Sequence, residues 1–288
     1  MKNQNFPEYI TEEKLNHFIS ESLQEDVGPG DYSTLAIIPA EEQNRAQLLV
    51  KEDGVLAGVQ LAEYIFNYFD PTIKFTKLMQ DGDLMKIGDI AFIVEGSARS
   101  ILTCERFVLN CMQRMSGIAS LTHQMVLEIK HTKAKLLDTR KTTPNFRMLE
   151  KWAVLIGGGN NHRFGLYDMI MLKDNHVDFA GGIAQAVNQT RKFLLDNDLE
   201  LKIEVETRNL DEVRQALEVK PDRIMIDNFT IEDSRKAVEI IGNSCEIEAS
   251  GGINLSTLKS VAETGVDFIS SGAITHSAKN IDLSLKAI

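Results

Sequence analysis

Cysteine, tryptophan and proline are scarce in this 288-residue chain, which holds three, one and six of them respectively. The three cysteines, Cys104, Cys111 and Cys245, are odd in number and show no Cys-x-x-Cys spacing, so a disulfide framework and a structural zinc site are both excluded. Buried thiols are expected instead. Nowhere do 18 uncharged apolar residues run together, and the stretch MKNQNFPEYITEEKLNHF lacks an apolar signal core, so the expectation is a cytoplasmic protein outside the membrane. Excess positive charge is missing too. A net charge of −11 disfavours nonspecific nucleic-acid binding, which draws its affinity from a basic face. Two catalytic signatures are absent as well: no Gly-x-Ser-x-Gly elbow occurs, and no cysteine stands at a strand end beside a histidine, which argues against covalent catalysis by Ser or Cys.

Against that acidic background one segment reverses sign. The run DTRKTTPNFRMLEKWAVLIGGGNNHRFGLYDMIMLKDNH, Asp138 to His176, carries six Lys/Arg against four Asp/Glu and three consecutive glycines, Gly157 to Gly159. Glycines let a backbone approach a ligand, and Arg and Lys grip carboxylates and phosphates, so the run reads as an anion site rather than a solvated basic loop.

The rhythm of the chain changes near residue 112. Before it, RAQLLVKEDGVLAG and GDLMKIGDIAFIVEGSARSIL offer short strands between Gly turns, with helices expected at residues 11–24 and 60–69. Thr103 to His131 has apolar residues at helical spacing and reads as a long helix with a break expected at Gly117. From residue 134 onward short apolar runs (AKLLDTR, YDMIMLKDN, LKIEVET, DRIMIDN, EIEASGG, DFISSGA) alternate with amphipathic stretches, the pattern of a parallel sheet. The last four begin 21 to 24 residues apart, one compact βα unit each, and no Gly-x-Gly-x-x-Gly fingerprint opens the first helix. An α/β protein follows: an N-terminal α/β domain over residues 1–112, then a β/α barrel over residues 113–276, incomplete at six strands. The tail, residues 277–288, is expected to pack back on the first domain.

Barrels place their sites at the C-terminal ends of the strands. Here those ends supply Asp138, Arg140 and Lys141; Lys173 and Asp174; Glu204 and Glu206; Asp227 and Asn228; Ser250, Gly251 and Gly252; and Ser271, Gly272 and Ala273. Arg140, Arg163 and His162 suit carboxylates, because a guanidinium fork matches a carboxylate in two bonds. Lys141 and Lys173 can serve phosphate oxygens as point charges, while Glu206 and Asp227 can hold magnesium or sugar hydroxyls. Glu204 and Glu206 lie two apart and so share one face of their strand, both expected at the mouth. The ASGG and SSGA turns, with His276 just beyond, fit a phosphate site built from backbone N–H groups. A strand-end lysine such as Lys173 is also the residue a Schiff-base aldolase would use, which keeps that chemistry as a rival.

The segments ERFVLNCMQRMSGIASLT, the whole Asp138–His176 run, IEVETRNLDEV, IMIDNF, EASGGI and GVDFISSGAITHS closely resemble the quinolinate phosphoribosyltransferase family, and EDVGPGDYST extends the match towards the N-terminus. The resemblance implies an N-terminal α/β sandwich followed by an incomplete six-stranded β/α barrel. It implies transfer of phosphoribose from phosphoribosyl pyrophosphate (PRPP) to quinolinate with loss of carbon dioxide, giving nicotinate mononucleotide and pyrophosphate on the route to NAD. Quinolinate contacts then fall on Arg106, Thr139, Arg140, His162, Arg163 and Lys173. PRPP, with Mg²⁺ held by Glu206 and Asp227, would meet Lys141, Glu206, Asp227, Ser250, Gly251, Gly252, Ser271, Gly272, Ala273 and His276. Lys141, Lys173, Glu206 and Asp227 would carry the catalysis. Arg106 would come from the neighbouring subunit of a homodimer, which can assemble further into a hexamer. A related pyrophosphorylase acting on another base is the alternative. Two positions depart from the family pattern: Asn145 stands where a small residue, often Gly, is expected, and Trp152 where Tyr is more usual, both expected to flank the site.

Overall fold

The computed structural model describes residues 6–288. Its elements begin with helices α1 (Glu12–Asp26) and α2 (Tyr32–Ile37), strands β1 (Gln43–Val50) and β2 (Gly54–Val55), and helix α3 (Val59–Phe69). Strands β3 (Lys74–Lys77), β4 (Leu84–Met85) and β5 (Ile90–Ser97) lead into the long helix α4 (Ala98–Ile129). Then come β6 (Lys135–Leu137), α5 (Arg147–Ile156), β7 (Ile170–Leu172), α6 (Asp174–Ala180) and α7 (Ile183–Asp196). The pairs β8 (Ile203–Thr207) and α8 (Leu210–Glu218), β9 (Arg223–Asp227) and α9 (Ile231–Ile241), β10 (Glu246–Ser250) and α10 (Leu258–Ala262), and β11 (Phe268–Ser270) and α11 (Ala273–His276) follow, before β12 (Leu283–Ala287).

These elements form two compact units. Among the described residues the first takes 6–123, 143–158 and 278–288; the second takes 124–142 and 159–277. The division differs from a single boundary at residues 112/113, because α5 and the first part of α4 are buried with the first unit. Glu150 and Lys151 of α5 are fully buried, and Glu150 accepts from Arg114 Nη2 of α4 at 2.8 Å. A buried carboxylate needs such a partner, so the pair ties the two helices together.

In the first unit an antiparallel sheet runs β12-β1-β5-β3, with Ala46 opposite Ala287 and Val50 opposite Leu283. The alternating apolar residues of β1 and β5 face a core that includes Leu15, Ile19, Leu48, Leu61, Ile65, Phe66 and Phe92, all without solvent exposure. Phe75 and Phe92 stack at 4.4 Å between centroids. Helix α3 starts at Gly58, whose φ of +96° suits glycine, and Asp81 accepts from the free N–H groups of Val59 and Gln60 at 2.8 and 3.2 Å. Helix α4 does not break at Gly117: the missing side chain there lets the Lys279 carbonyl approach, a packing use of glycine rather than a kink. Trp152 is likewise a core residue, buried edge-on to Phe6 at 5.1 Å, and not a neighbour of the site. Asn145 adopts φ +61°, left-handed backbone in which Asn is one of the few tolerated replacements for Gly.

The second unit holds the six-stranded sheet, all parallel, in the order β6-β11-β10-β9-β8-β7. Helices α8 and α9 begin with Asn209 and Thr230 as N-caps and with acidic first turns, which suit the positive end of the helix dipole. Between β6 and β7 the chain adds one parallel bridge, Leu137 to Asn160. That bridge carries the chain onto His162 and Arg163.

Candidate active site

A cavity of about 640 Å³ opens at the C-terminal ends of the parallel strands, within the range usual for small-molecule sites. Thr139, Arg140, Lys141, His162, Arg163, Lys173, Glu206, Asp227, Ser250, Gly251, Gly252, Gly272, Ala273 and His276 line it. Two expected members stand elsewhere. Arg106 lies exposed on α4 of the first unit. Ser271 is buried, its N–H donating to Leu137 O and its hydroxyl to Ile253 O, so it shapes the turn without facing the cavity.

The cationic wall comes from the β6 end and the segment after Asn160. Asp138, fully buried, accepts from the His162 N–H at 2.8 Å and from Asn161 Nδ2 at 2.7 Å, which pins that segment against β6. Arg163 is held by donation from Nη1 to Met169 O at 3.1 Å and from Nη2 to the Met171 sulfur at 3.7 Å. Burial and the neighbouring Arg140 charge pull its pKa below the usual range. Two guanidiniums crowded on one wall store a repulsion that a bound anion relieves.

Acidic groups line the same cavity. Lys173 Nζ sits 3.0 Å from Glu206 Oε2, and Asn228 Nδ2 donates to Asp227 Oδ2 at 2.7 Å. Asn228 adopts φ +56° and its N–H donates to Ser250 O, so it links Asp227 to the glycine turn of β10. Gly251 has φ +100°, and a side chain on it would collide with that of Asn228. At the β11 end, Gly272 leaves room for His276 and Lys141, and Thr275 Oγ1 donates to Lys141 O. Asn228, expected at the β9 end, lines the cavity, and so do Asn254, Met171 and Met225, which were not expected there.

Below the cavity floor the expectation for Glu204 fails. It shares the inward face of β8 with Glu206, but it sits one layer deeper and has no solvent exposure. Its carboxylate lies 3.2 Å from His162 Nε2, and Glu248 lies 3.4 Å from the same nitrogen. Arg223 reaches Glu248 at 2.7 Å and Glu246 at 3.0 Å and stacks over Phe268 at 4.0 Å. Burial and the Glu248 charge push Glu204 up to about 6. His162 therefore does not aim a ring nitrogen into the cavity as a carboxylate clamp would need; Nε2 meets the glutamates and Nδ1 accepts from the Arg163 N–H. Burial pulls the ring towards neutrality, while the glutamates outweigh it and push it up to about 9. The Arg163 N–H opposes that second protonation, because it occupies the lone pair the proton would take. With Nδ1 occupied as an acceptor, the ring carries its proton on Nε2. Alternation along RIMID and EIEAS put Arg223 and Glu248 on the inward face all along, the one signal from which this layer could have been read.

The chain matches family models for the N-terminal domain of quinolinate phosphoribosyl transferase over residues 31–116 and for its C-terminal domain over residues 118–286. A relative from Nicotiana tabacum, quinolinate phosphoribosyltransferase [decarboxylating] 1b, is 46% identical, covering 94% of this chain and 82% of that protein. The nicotinate-nucleotide pyrophosphorylase [carboxylating], chloroplastic, of Arabidopsis thaliana is also 46% identical over the same shares. Among solved structures, NadC from Streptococcus pyogenes superposes with a TM-score of 0.91 at 40% identity, covering 97% of this chain and 99% of that one.

Proposed function

The chain belongs to the quinolinate phosphoribosyltransferase family, and we propose from that premise how its own residues carry the reaction. The protein is a decarboxylating phosphoribosyltransferase of NAD biosynthesis, acting on quinolinate and PRPP. One observation carries the assignment of roles: Arg140 and Arg163 lie close enough to repel one another, and Glu206 and Asp227 line the same cavity. A pyridine dicarboxylate is matched to the arginines, and a ribose that develops positive charge is matched to the carboxylates.

Arg140, Arg163 and Lys173 grip the two carboxylates, with Thr139 beside them and His162 behind Arg163. Lys141, the Gly251–Gly252 turn, Gly272, Ala273 and His276 receive the phosphate oxygens. The pyridine nitrogen attacks the anomeric carbon, the bond to diphosphate breaks, and Glu206 and Asp227 face the positive charge that develops on the ribose. The ring nitrogen, now cationic, then stabilises the electron pair left at its neighbouring carbon as carbon dioxide departs, and a proton replaces the carboxyl group. Glu206 and Asp227 also supply the hard oxygen ligands that Mg²⁺ prefers, Glu206 already being matched to a cation in its pair with Lys173. When bound, Mg²⁺ would neutralise the diphosphate leaving group.

Arg106, exposed on α4, is assigned to the active site of a second copy in a homodimer. The supporting features are its exposure and its place in the matching ERFVLNCMQRMSG segment. A cytoplasmic location belongs to the same reading and is decided by fractionation. Schiff-base chemistry would need the Lys173 amine free, and here it is engaged with Glu206 at 3.0 Å. The test is pyrophosphate release from PRPP, expected with quinolinate and not with nicotinate; release with nicotinate only overturns the substrate roles. For the shared site, Arg106→Ala and Lys173→Ala are each expected to be inactive and to regain partial activity when mixed. Mixed dimers without recovery would exclude an Arg106 acting across subunits.

A further inference from the structure

The layer of charge beneath the cavity is not needed to bind either substrate directly, yet it is expensive. Glu204 and Glu248 are both fully buried and converge on a single histidine nitrogen, with Arg223 as the cation reaching Glu248. Two buried carboxylates sharing so few partners oppose folding, and stability alone would favour an apolar residue at one of these positions. His162 links the layer to the cavity. His162 Nε2 lies 3.2 Å from Glu204 and 3.4 Å from Glu248 without closing a hydrogen bond to either, and Nδ1 takes the Arg163 N–H at 2.6 Å.

We propose that Glu204 is a positioning residue for the dicarboxylate wall: with Glu248 it fixes the His162 ring as the Nε2–H form, so that Nδ1 accepts from the Arg163 backbone and sets where the Arg163 guanidinium lies. The logic is that of a carboxylate behind a histidine, which selects the tautomer and the ring angle. Without the glutamates the ring could flip or carry its proton on Nδ1, and Nδ1–H would then point at the Arg163 N–H. The side chain of Arg163, anchored otherwise by Met169 O and the soft Met171 sulfur, would lose its backbone reference. A metal ion in the His162–Glu204–Glu248 cluster is the competing occupant, since the three donor atoms lie within 4.8 Å of one another. Arg223, already 2.7 Å from Glu248, supplies the positive charge in its place.

The inference rests on Arg163 gripping a quinolinate carboxylate, and the experiment separates the two ideas. Wild-type protein must first release pyrophosphate with quinolinate; a failure there counts against the substrate roles and not against Glu204. Glu204→Leu should then raise KM for quinolinate about tenfold, the effect of losing roughly one well-placed hydrogen bond. KM for PRPP should stay within about twofold, an effect below a fraction of one such bond, and the melting temperature should hold or rise. Glu204→Gln, whose amide oxygen still turns a negative dipole towards Nε2–H, should restore most of the quinolinate KM. An unchanged KM for quinolinate, or equal losses in both KM values together with a lower melting temperature, overturns the proposal. A measurement on the unaltered enzyme guards against a variant that fails to fold: ¹⁵N spectra should show His162 Nδ1 unprotonated and Nε2 protonated at neutral pH. A doubly protonated ring, or about one tightly held metal ion per chain by elemental analysis, would equally sink it.

Discussion

The two units of this protein fill the space beside their sheets with opposite chemistry. In the first, one face of the antiparallel sheet is covered by Phe66, Phe75, Phe92, Leu48 and Ile65, a core that needs no polar partner. In the second, the inward face of the parallel sheet carries Glu204, Arg223 and Glu248, met by His162 from the loop after Asn160, with Glu206 and Asp227 lining the cavity. An apolar core draws its stability from area removed from water, roughly 25 cal/mol per Å². A charged interior gains little of that and instead holds groups in fixed places. The comparison assigns stability to the first interior and geometry to the second.

Mutations should therefore separate by unit. Phe92→Ala is expected to cost about 3–5 kcal/mol of stability, read as a lower denaturation midpoint, because the cavity cannot close around the missing ring. Its surviving folded fraction should keep the wild-type KM values; changed kinetics would mean that the first interior also sets the site. Asp227→Asn should do the reverse, lowering kcat about 10²–10³-fold, or about 2.7–4 kcal/mol in activation free energy, with little shift in thermal denaturation. A kcat within a few-fold of wild type would remove Asp227 from the chemistry. Gly251→Ala places a side chain at φ +100° against Asn228 and should raise KM for PRPP about tenfold while sparing that for quinolinate. Equal effects on both would show that the turn is structural only. The smallest expected signal is from the thiols. Burial pushes Cys104 up to about 12 and Cys245 up to about 11, and raises Cys111 further, so none should react with a thiol reagent in the native state near neutral pH. Rapid labelling before unfolding would reveal opening of the elements that carry them.

Much of the second unit could be read from the order of residues. Six short apolar runs at βα spacing give six parallel strands, and the polar residues at their ends give most of the cavity lining. The depth of those residues could not be read in the same way. Glu204 and Glu206 have the same sidedness, and only the stagger between neighbouring strands places one at the mouth and the other in the sealed layer below. His162 shows the same limit. As a cationic residue in a basic run it reads as a ligand clamp, but its contacts are made with β8 and β10, far away in sequence. The run Asp138–His176 was likewise treated as one anion site, although Arg147, Glu150 and Lys151 within it belong to α5 of the first unit.

The sequence by itself determined the alternation of strand and helix, the family, and which side chains can grip carboxylates, phosphates or a cation, since these depend on local periodicity and on the chemistry of single residues. The tertiary structure alone decided which of those charges face the cavity and which face one another. That choice depends on strand register and on partners that meet only when the sheet is assembled, and it turned Glu204, Glu248 and Arg223 from unremarked inward positions into the support beneath His162 and Arg163.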